Sequence, residues 1–310
     1  MAKILVSGSL AYDRIMDFPG YFRDSLIPDK LDDINVSFTV DGLSECFGGT
    51  AGNIAYNLAI LGEEPEILST AGNNFEEYRK WLINSRVETR SISIAKELRT
   101  AEAYVVTDKG ESQISIFHSG ALAQAWSGTI PNAELAIVSP GNIADMLALT
   151  KEYRKRRTPY FFDAGQQISV LTGDDLRGAI LGASVFFGNE YEMGLMMEKS
   201  GWDMKKLLEE VPIVVTTRGT DGSRITTRDG NKDIKAILTG KSVDPTGAGD
   251  AHRAGFAKGY LMKLSLEKTG RLASAVASYA VEKRGTQNHS FTLAELSKRY
   301  QDAYGETLTI

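Results

Sequence analysis

Hydrophobic and polar positions follow two different rhythms along this chain. Residues 3–7 form an apolar run that predicts a buried strand, and from residue 133 similar runs recur with helical segments between them. We predict the strands of this second series at residues 135–139, 160–163, 184–188 and 213–217. Because strands that alternate with helices form parallel sheets covered on both faces, the rhythm predicts an α/β fold with a central, mostly parallel sheet.

Three shorter stretches alternate apolar and polar residues at every second position, which is typical of strands with one covered face. They are residues 34–40, 101–107 and 113–118, and residues 108–110 join the last two as a hairpin. These antiparallel signals predict a small β-sheet lid. We expect one domain over residues 1–310, with a large α/β part at approximately 1–10, 46–98 and 120–310 and the lid at approximately 11–45 and 99–119.

Composition narrows the class of protein and its surroundings. Apolar residues make up 42% and charged residues 24% of the 310 positions, as in ordinary globular proteins, and the net charge of −5 argues against a nucleic-acid partner. Cys46 is the single cysteine, so no internal disulfide forms. No apolar stretch approaches the roughly 20 residues that span a bilayer, and no basic-then-apolar leader opens the chain. We therefore expect a cytoplasmic protein with no membrane partner.

The stretch that carries the most chemistry is residues 243–256, Val-Asp-Pro-Thr-Gly-Ala-Gly-Asp-Ala-His-Arg-Ala-Gly-Phe. Its proline and glycines fit a tight turn, and the small and apolar residues that follow fit a packed helix. The backbone N–H groups of Gly247, Ala248 and Gly249 can then approach an anion, and the positive end of the helix dipole adds to the attraction. This geometry predicts a phosphate cradle.

Asp250 stands where the cradle meets the helix. A carboxylate repels a bound phosphate, so its presence makes sense if it faces a hydroxyl that attacks phosphorus and accepts the hydroxyl proton. The residues alone also allow a simpler role, because aspartate is a common N-cap after a glycine turn. At this point both interpretations stay open.

Two motifs resemble the signatures of the ribokinase-like (PfkB) carbohydrate kinases. Residues 244–256 resemble the C-terminal signature, and residues 47–62, Phe-Gly-Gly-Thr-Ala-Gly-Asn-Ile-Ala-Tyr-Asn-Leu-Ala-Ile-Leu-Gly, resemble the N-terminal one, in the family's order. Pro245 stands where many members carry threonine or another polar residue. The resemblance implies a ribokinase-like fold, Asp250 as general base, and Gly247, Ala248 and Gly249 as an anion hole for the transferred phosphoryl group.

The same resemblance assigns further residues. It places Asp13, Gly48, Gly49 and Asn53 around the substrate hydroxyls, although the residues alone also fit a turn for Asp13 and an N-cap for Asn53. It implies ATP and Mg²⁺, with Glu192 acting on Mg²⁺ through water, and it allows K⁺ as a further cofactor. The nucleotide-binding residues that it implies are Asn189, Thr217, Gly219, Gly222 and Asn288, and the residues for a monovalent cation are Asp244 and Thr246.

The substrate is indicated by the lid. Residues 8–22, 34–38 and 107–122 resemble the bacterial adenosine-kinase branch of the family, and Phe38 and Phe117, predicted on lid strands, can stack a purine. The leading hypothesis is ATP-dependent phosphorylation of the 5′-hydroxyl of adenosine to AMP. Two alternatives remain open: a kinase of a plain sugar such as ribose or fructose, and a catalytically silent sensor that binds a nucleoside or sugar. Exposed lid edges indicate a possible homodimer through the lid.

Overall fold

The computed structural model describes residues 1–26, 35–110, 112–240 and 242–309. The strands, numbered in chain order, are β1 (Lys3–Ser7), β2 (Ala11–Asp17), β3 (Gly42–Gly48), β4 (Glu64–Gly72), β5 (Ile92–Ala95), β6 (Ala101–Thr107), β7 (Gln113–His118), β8 (Leu135–Val138), β9 (Tyr160–Asp163), β10 (Val185–Asn189), β11 (Val214–Thr217), β12 (Ser223–Thr227) and β13 (Gly230–Ile234). The helices are α1 (Phe22–Ser25), α2 (Thr50–Ile60), α3 (Glu76–Asn84), α4 (Ile143–Arg156), α5 (Gly173–Ile180), α6 (Glu190–Ser200), α7 (Met204–Glu210), α8 (Ala248–Leu261), α9 (Leu266–Ala280) and α10 (Leu293–Tyr304).

Nine strands form the main sheet in the order β13-β12-β11-β10-β9-β8-β1-β4-β5. The strands from β11 to β5 are parallel, and β12 and β13 are antiparallel at one edge. The predicted central, mostly parallel sheet is thus confirmed. In such sheets ligands bind beyond the carboxyl ends of the strands, which places Asp163, Asn189 and Thr217 at one edge.

Two apolar layers cover the faces of this sheet, because successive side chains of a strand point to opposite sides. Ile4 and Phe161 face a core that also contains α2, α8, α9 and α10, whereas Leu5 and Phe162 face a second core with α4, α5, α6 and α7. This arrangement holds the strand ends and helix N-termini of the site on a rigid base. Among the described residues, no helix combines the length and the apolar character needed to cross a membrane.

A separate four-stranded sheet, which we call the lid, has the order β3-β2-β6-β7. The predicted hairpin is confirmed, since β6 and β7 pair antiparallel from residues 102 to 118. The predicted strand at 34–40 is wrong: residues 35–40 have no regular secondary structure, and residue 34 lies outside the described residues. The lid strand that pairs with β2 on the side away from β6 is β3, and it continues to Gly48, shortly before α2 begins at Thr50.

Candidate active site

The N-terminus of α2 is tied to the ends of two strands of the main sheet. Thr50 Oγ1 donates to the carbonyl of Pro140, which follows β8, at 2.8 Å, and the Thr50 N–H donates to Ser9 Oγ, after β1, at 2.9 Å. The helix begins at Thr50 with Gly49 as its N-cap, so Asn53 is not the N-cap. Asn53 instead lies one turn inside the helix with 4% of its surface exposed.

Asp250 is the third residue of α8, whose N-cap is Gly247 in a left-handed conformation with φ 81°. The Asp250 side chain does not cap its own helix. Its Oδ2 accepts a hydrogen bond of 2.8 Å from Asn53 Nδ2 on α2. The N-cap interpretation of Asp250 is therefore wrong, and the two signature motifs meet at this buried contact.

The electrostatics of Asp250 suit a proton acceptor. Burial raises the pKa of Asp250 to about 6, while the Arg253 guanidinium and the hydrogen bond from Asn53 oppose the rise and nearby Asp163 adds to it. The carboxyl is thus mostly ionised at neutral pH. A general base is most effective when its pKa lies close to the working pH.

Arg253 forms a buried ion pair that sequence reasoning missed. Its guanidinium contacts the carboxylate of Asp163 at the end of β9, and both side chains are almost fully buried. A Cβ atom at Gly249 would lie 2.6 Å from Arg253 Nη1, so glycine lets the guanidinium pack beneath the cradle. The signal in the sequence was an arginine three positions after Asp250, on a helix in which most other residues are small or apolar.

The cradle itself is the turn before α8 and its first residues. Gly247, Ala248 and Gly249 are partly exposed, whereas Asp250 directly after them is buried. The Ala248 N–H already donates to the carbonyl of Pro245 at 3.2 Å, a long bond that an anion would compete with. These three residues lie at the positive end of a 14-residue helix.

Asp13 lies on lid strand β2, across the cleft from α8. Burial, together with the negative charges of Asp250 and Asp244, raises the pKa of Asp13 to about 7. Gly48 on β3 leaves room for this carboxylate, because a side chain there would collide with Asp13 Oδ2. The structure therefore brings Asp13, Gly48, Asn53 and Asp250 into one cleft, and their roles around the substrate hydroxyls stay a prediction.

The two aromatic residues predicted to stack a base lie in different surroundings. Asp13, Ala103 and Phe117 are register partners on β2, β6 and β7, so their side chains share one face, which we call the inner face of the lid. Phe117 is 54% exposed there. Phe38 is not on a lid strand, and its ring packs edge-on against Phe18 and Phe22 at 4.9 and 5.1 Å. Only Phe117 therefore has a free ring on the inner face.

A cavity of about 590 Å³ adjoins the cradle. It is bordered by Ala248 and Gly249 of the cradle, by the predicted residues Thr217, Gly219 and Gly222, and by apolar side chains that include Ile237, Leu238, Ala277 and Val281. Its volume is within the range of pockets that hold a cofactor-sized ligand. Sequence reasoning did not find its apolar wall or His252, whose Nε2 lies 3.3 Å from Ser223 Oγ.

Asn189 and Glu192 form a reciprocal cap at the start of α6. The Glu192 N–H donates to Asn189 Oδ1 and the Asn189 N–H donates to Glu192 Oε2, both at 2.8 Å. Burial raises the pKa of Glu192, and the neighbouring charge of Asp163 adds to this. A cation nearby would stabilise the ionised form of the Glu192 carboxylate. Within the described ranges no cluster of three or more histidine, cysteine or carboxylate side chains is placed to hold a metal ion.

The remaining predicted residues lie at the lid side of α8. Asp244 accepts from the Thr246 N–H at 2.9 Å and from the Gly285 N–H at 3.0 Å. Asn288 Nδ2 donates to the carbonyl of Arg284 at 2.9 Å and lies 3.7 Å from Cys46 Sγ on β3. Among the described residues, neither Asn288 nor Asn189 borders the 590 Å³ cavity.

Comparison with known proteins identifies the class that this fold and site define. The protein is a phosphotransferase with a hydroxyl group as acceptor. The chain belongs to the pfkB family of carbohydrate kinases, whose family model matches residues 1–292.

Its relatives include proteins named nucleoside kinases. The nucleoside kinase of Methanothermobacter thermautotrophicus is 32% identical over 310 residues, which cover 97% of this chain and 96% of that protein. The structure of Burkholderia thailandensis nucleoside kinase in complex with inosine is 33% identical with a TM-score of 0.90, covering 98% of this chain and 99% of that one. The structure of Methanocaldococcus jannaschii nucleoside kinase gives a TM-score of 0.89 at 29% identity, with 97% and 99% covered.

Proposed function

We propose that this protein transfers the terminal phosphoryl group of ATP to the 5′-hydroxyl of adenosine, giving AMP. The observation that carries the proposal is the position of Asp250, which lies between the cradle of α8 and the cleft that Asn53 and Asp13 line. In this arrangement Asp250 accepts the proton of the attacking hydroxyl. The amides of Gly247, Ala248 and Gly249 stabilise the charge on the transferred group.

The side chains on the inner face of the lid favour a nucleoside rather than a plain sugar as the substrate. Ile15, Ala103, Val105 and Phe117 share the inner face with Asp13, so an apolar surface extends beyond the carboxylate that would hold the ribose hydroxyls. A base can stack on this surface, whereas a sugar needs mainly hydroxyl partners. The inosine bound to the Burkholderia thailandensis enzyme makes inosine the closest competitor to adenosine.

ATP would place its phosphates at the cradle and its base in the 590 Å³ cavity, against Ile237 and Val281. Mg²⁺ would be held by phosphate oxygens and by water bound to Glu192, and it would neutralise charge on the phosphates. A monovalent cation such as K⁺ would use Asp244 and Thr246, where the two carboxylate oxygens of Asp244 accept from the N–H groups of Thr246 and Gly285 among the described residues.

The lid also offers the surface for a possible homodimer. The free edge of β7 and the exposed side chains of Leu43 and Ile116, which are 67% and 65% exposed, lie on the side away from the cleft. Light scattering of the wild type and of Ile116→Arg tests this proposal. A wild type that is monomeric at all concentrations would contradict it.

A substrate panel tests the proposed reaction. The purified protein is incubated with ATP, Mg²⁺ and adenosine, inosine, ribose or fructose, and both ADP and the phosphorylated product are measured, with Asp250→Asn as the blank for contaminating kinases. We expect AMP as the most efficiently formed product. ADP formation with a sugar but with no nucleoside would favour the plain-sugar kinase. Tight nucleoside binding without turnover on any substrate would favour the sensor.

A further inference from the structure

A buried chain of hydrogen bonds connects Trp81 on α3 to Asp250. Trp81 Nε1 donates to Gln287 Oε1 at 3.0 Å, and Gln287 Nε2 donates to Asn53 Oδ1 at 3.0 Å. Asn53 Nδ2 then donates to Asp250 Oδ2 at 2.8 Å. Gln287 is 2% and Asn53 4% exposed, so bulk water does not replace these bonds. In each of these hydrogen bonds, the residue farther from Asp250 is the donor.

The direction follows from the two groups that hold Gln287. An indole N–H can only donate, so Gln287 must turn its oxygen towards Trp81. The Tyr78 hydroxyl donates to the carbonyl of Gly48 at 2.8 Å, so it accepts from Gln287 Nε2 at 2.6 Å. Both N–H groups of the Gln287 amide are therefore committed, one to Tyr78 and one to Asn53. Because Gln287 donates to Asn53, the Asn53 oxygen faces Gln287 and its NH₂ group faces Asp250.

We propose that Trp81 and Gln287 are positioning residues that keep the Asp250 carboxylate ionised and oriented for proton acceptance. If Asn53 were reversed, its Oδ1 would face the carboxyl, and only a protonated Asp250 could then form a hydrogen bond with it. The donor-only indole thus selects the charged form of Asp250 through two intervening amides. The inference rests on the proposed function, in which Asp250 is the base.

Other charges act on Asp250 at the same time. Arg253, on the same helix, favours its ionised form, while Asp163 on β9 disfavours it and Asp13 on the lid carries a like charge across the cleft. Glu192 on α6 interacts with Arg253. None of these groups belongs to the hydrogen-bond chain, so substitutions at Trp81 or Gln287 leave them in place and isolate the contribution of the chain.

Trp81→Phe is the direct test, because it removes the indole N–H and keeps an aromatic ring in the packing. We expect the acid limb of the kcat profile with ATP, Mg²⁺ and adenosine to move up by about one pH unit, because Asn53 is no longer held as a donor to the charged Asp250 carboxylate. The kcat at high pH, where Asp250 is ionised in both proteins, should fall by less than the kcat on the acid limb. Gln287→Met, which cannot donate to Asn53, should move the limb in the same direction.

Trp126→Phe is the matched control. Its indole N–H also donates a hydrogen bond, in this case to the backbone carbonyl of Ser91 at 2.6 Å, but Trp126 packs against the second core of the main sheet rather than the cleft. We expect the pH profile of this variant to match that of the wild type. Thermal melting of all three variants checks that each is folded at the pH values used.

An infrared titration separates this inference from the proposed function. The carboxyl band that is present in the wild-type spectrum but absent from that of Asp250→Asn belongs to Asp250. Its intensity as a function of pH gives the pKa of Asp250 without any turnover. A higher pKa in Trp81→Phe and Gln287→Met supports the positioning role even if adenosine is not phosphorylated. Folded variants whose titration and kcat profile both coincide with those of the wild type would overturn it.

Discussion

Arg284 holds Asp17 of lid strand β2 through two hydrogen bonds of 2.7 and 3.0 Å. Arg284 lies in the segment that follows α9, and in the same segment Thr286 Oγ1 donates to the carbonyl of Phe47 on β3 at 3.0 Å. This segment, which also contains Gln287, therefore ties the lid to the large α/β part on the side of the cleft where Asp13 lies.

We predict that Arg284→Met raises the KM for adenosine several-fold with a smaller effect on kcat, because the lid loses its ion pair and closes less often over the substrate. Both side chains are about half exposed, so the free energy of unfolding should change by only about 0.5 kcal/mol. Steady-state kinetics and chemical denaturation measure the two effects. Lys298→Met, which removes an exposed helical ion pair with Asp302, is the control, and an unchanged KM in Arg284→Met would contradict the prediction.

Replacing the proposed base should separate binding from chemistry. In Asp250→Asn the amide keeps the size of the side chain but accepts no proton, so we expect kcat to fall by about 10² to 10⁴-fold. Calorimetry should still detect adenosine binding with a similar affinity. Asp302→Asn on the surface of α10 serves as the matched control. Near-normal turnover of Asp250→Asn would remove Asp250 from the role of base.

The pH dependence of the wild type follows from the same group. Asp250 accepts a proton only when ionised, and its pKa is raised to about 6. We therefore expect kcat to be constant above this value and to fall about tenfold for each pH unit below it. Initial rates from pH 5 to pH 9 measure the profile. A kcat that stays constant down to pH 5 would show that proton transfer to Asp250 does not limit the reaction.

The family motifs predicted Asn53 and Asp250 as site residues but not the contacts that support them. Asn53 and Asp250 were expected in one cleft because both belong to long, specific signatures. The partners Arg253 and Gln287 were missed because their roles depend on contacts with Asp163 on β9 and Trp81 on α3, and no local pattern in the sequence records such contacts.

The error at residues 34–40 has a related cause. Alternation of apolar and polar residues predicts a strand, but a strand also needs a partner with a free edge. All seven residues of β2 pair with β3 on one side and with β6 on the other, so β2 has no free edge for residues 35–40. Phe38 packs instead against Phe18 and Phe22. The lid was thus predicted correctly as a unit, while one of its strands was placed too early in the chain.

The ionised carboxylate of Asp13 should lower the free energy of unfolding at high pH. Its pKa is raised to about 7 in the folded protein from an ordinary value of 3.8, so the folded state binds the proton more tightly than the unfolded state does. The stability that this group contributes is full below pH 3.8 and is lost as the pH rises to about 7. Asp13→Asn should therefore raise the free energy of unfolding at pH 8 by about 1 kcal/mol or more and have little effect at pH 4.

Denaturation of the wild type and Asp13→Asn at both pH values measures this difference. The same variant should bind adenosine more weakly, because a neutral amide holds ribose hydroxyls less strongly than a carboxylate. Equal destabilisation of the variant at pH 4 and pH 8 would mean that Asp13 carries no unfavourable charge in the folded protein.

Phe117 should distinguish a nucleoside from a sugar as the substrate. Its ring is half exposed on the inner face of the lid, and Ile116, next to it on β7, points to the opposite face with 65% of its surface exposed. A stacked base gains about 1 kcal/mol from an aromatic partner, so Phe117→Ala should raise the KM for adenosine about fivefold. The KM for ATP should not change, and Ile116→Ala should behave as the wild type. If Phe117→Ala and Ile116→Ala have the same KM for adenosine, the base does not lie on the inner face of the lid.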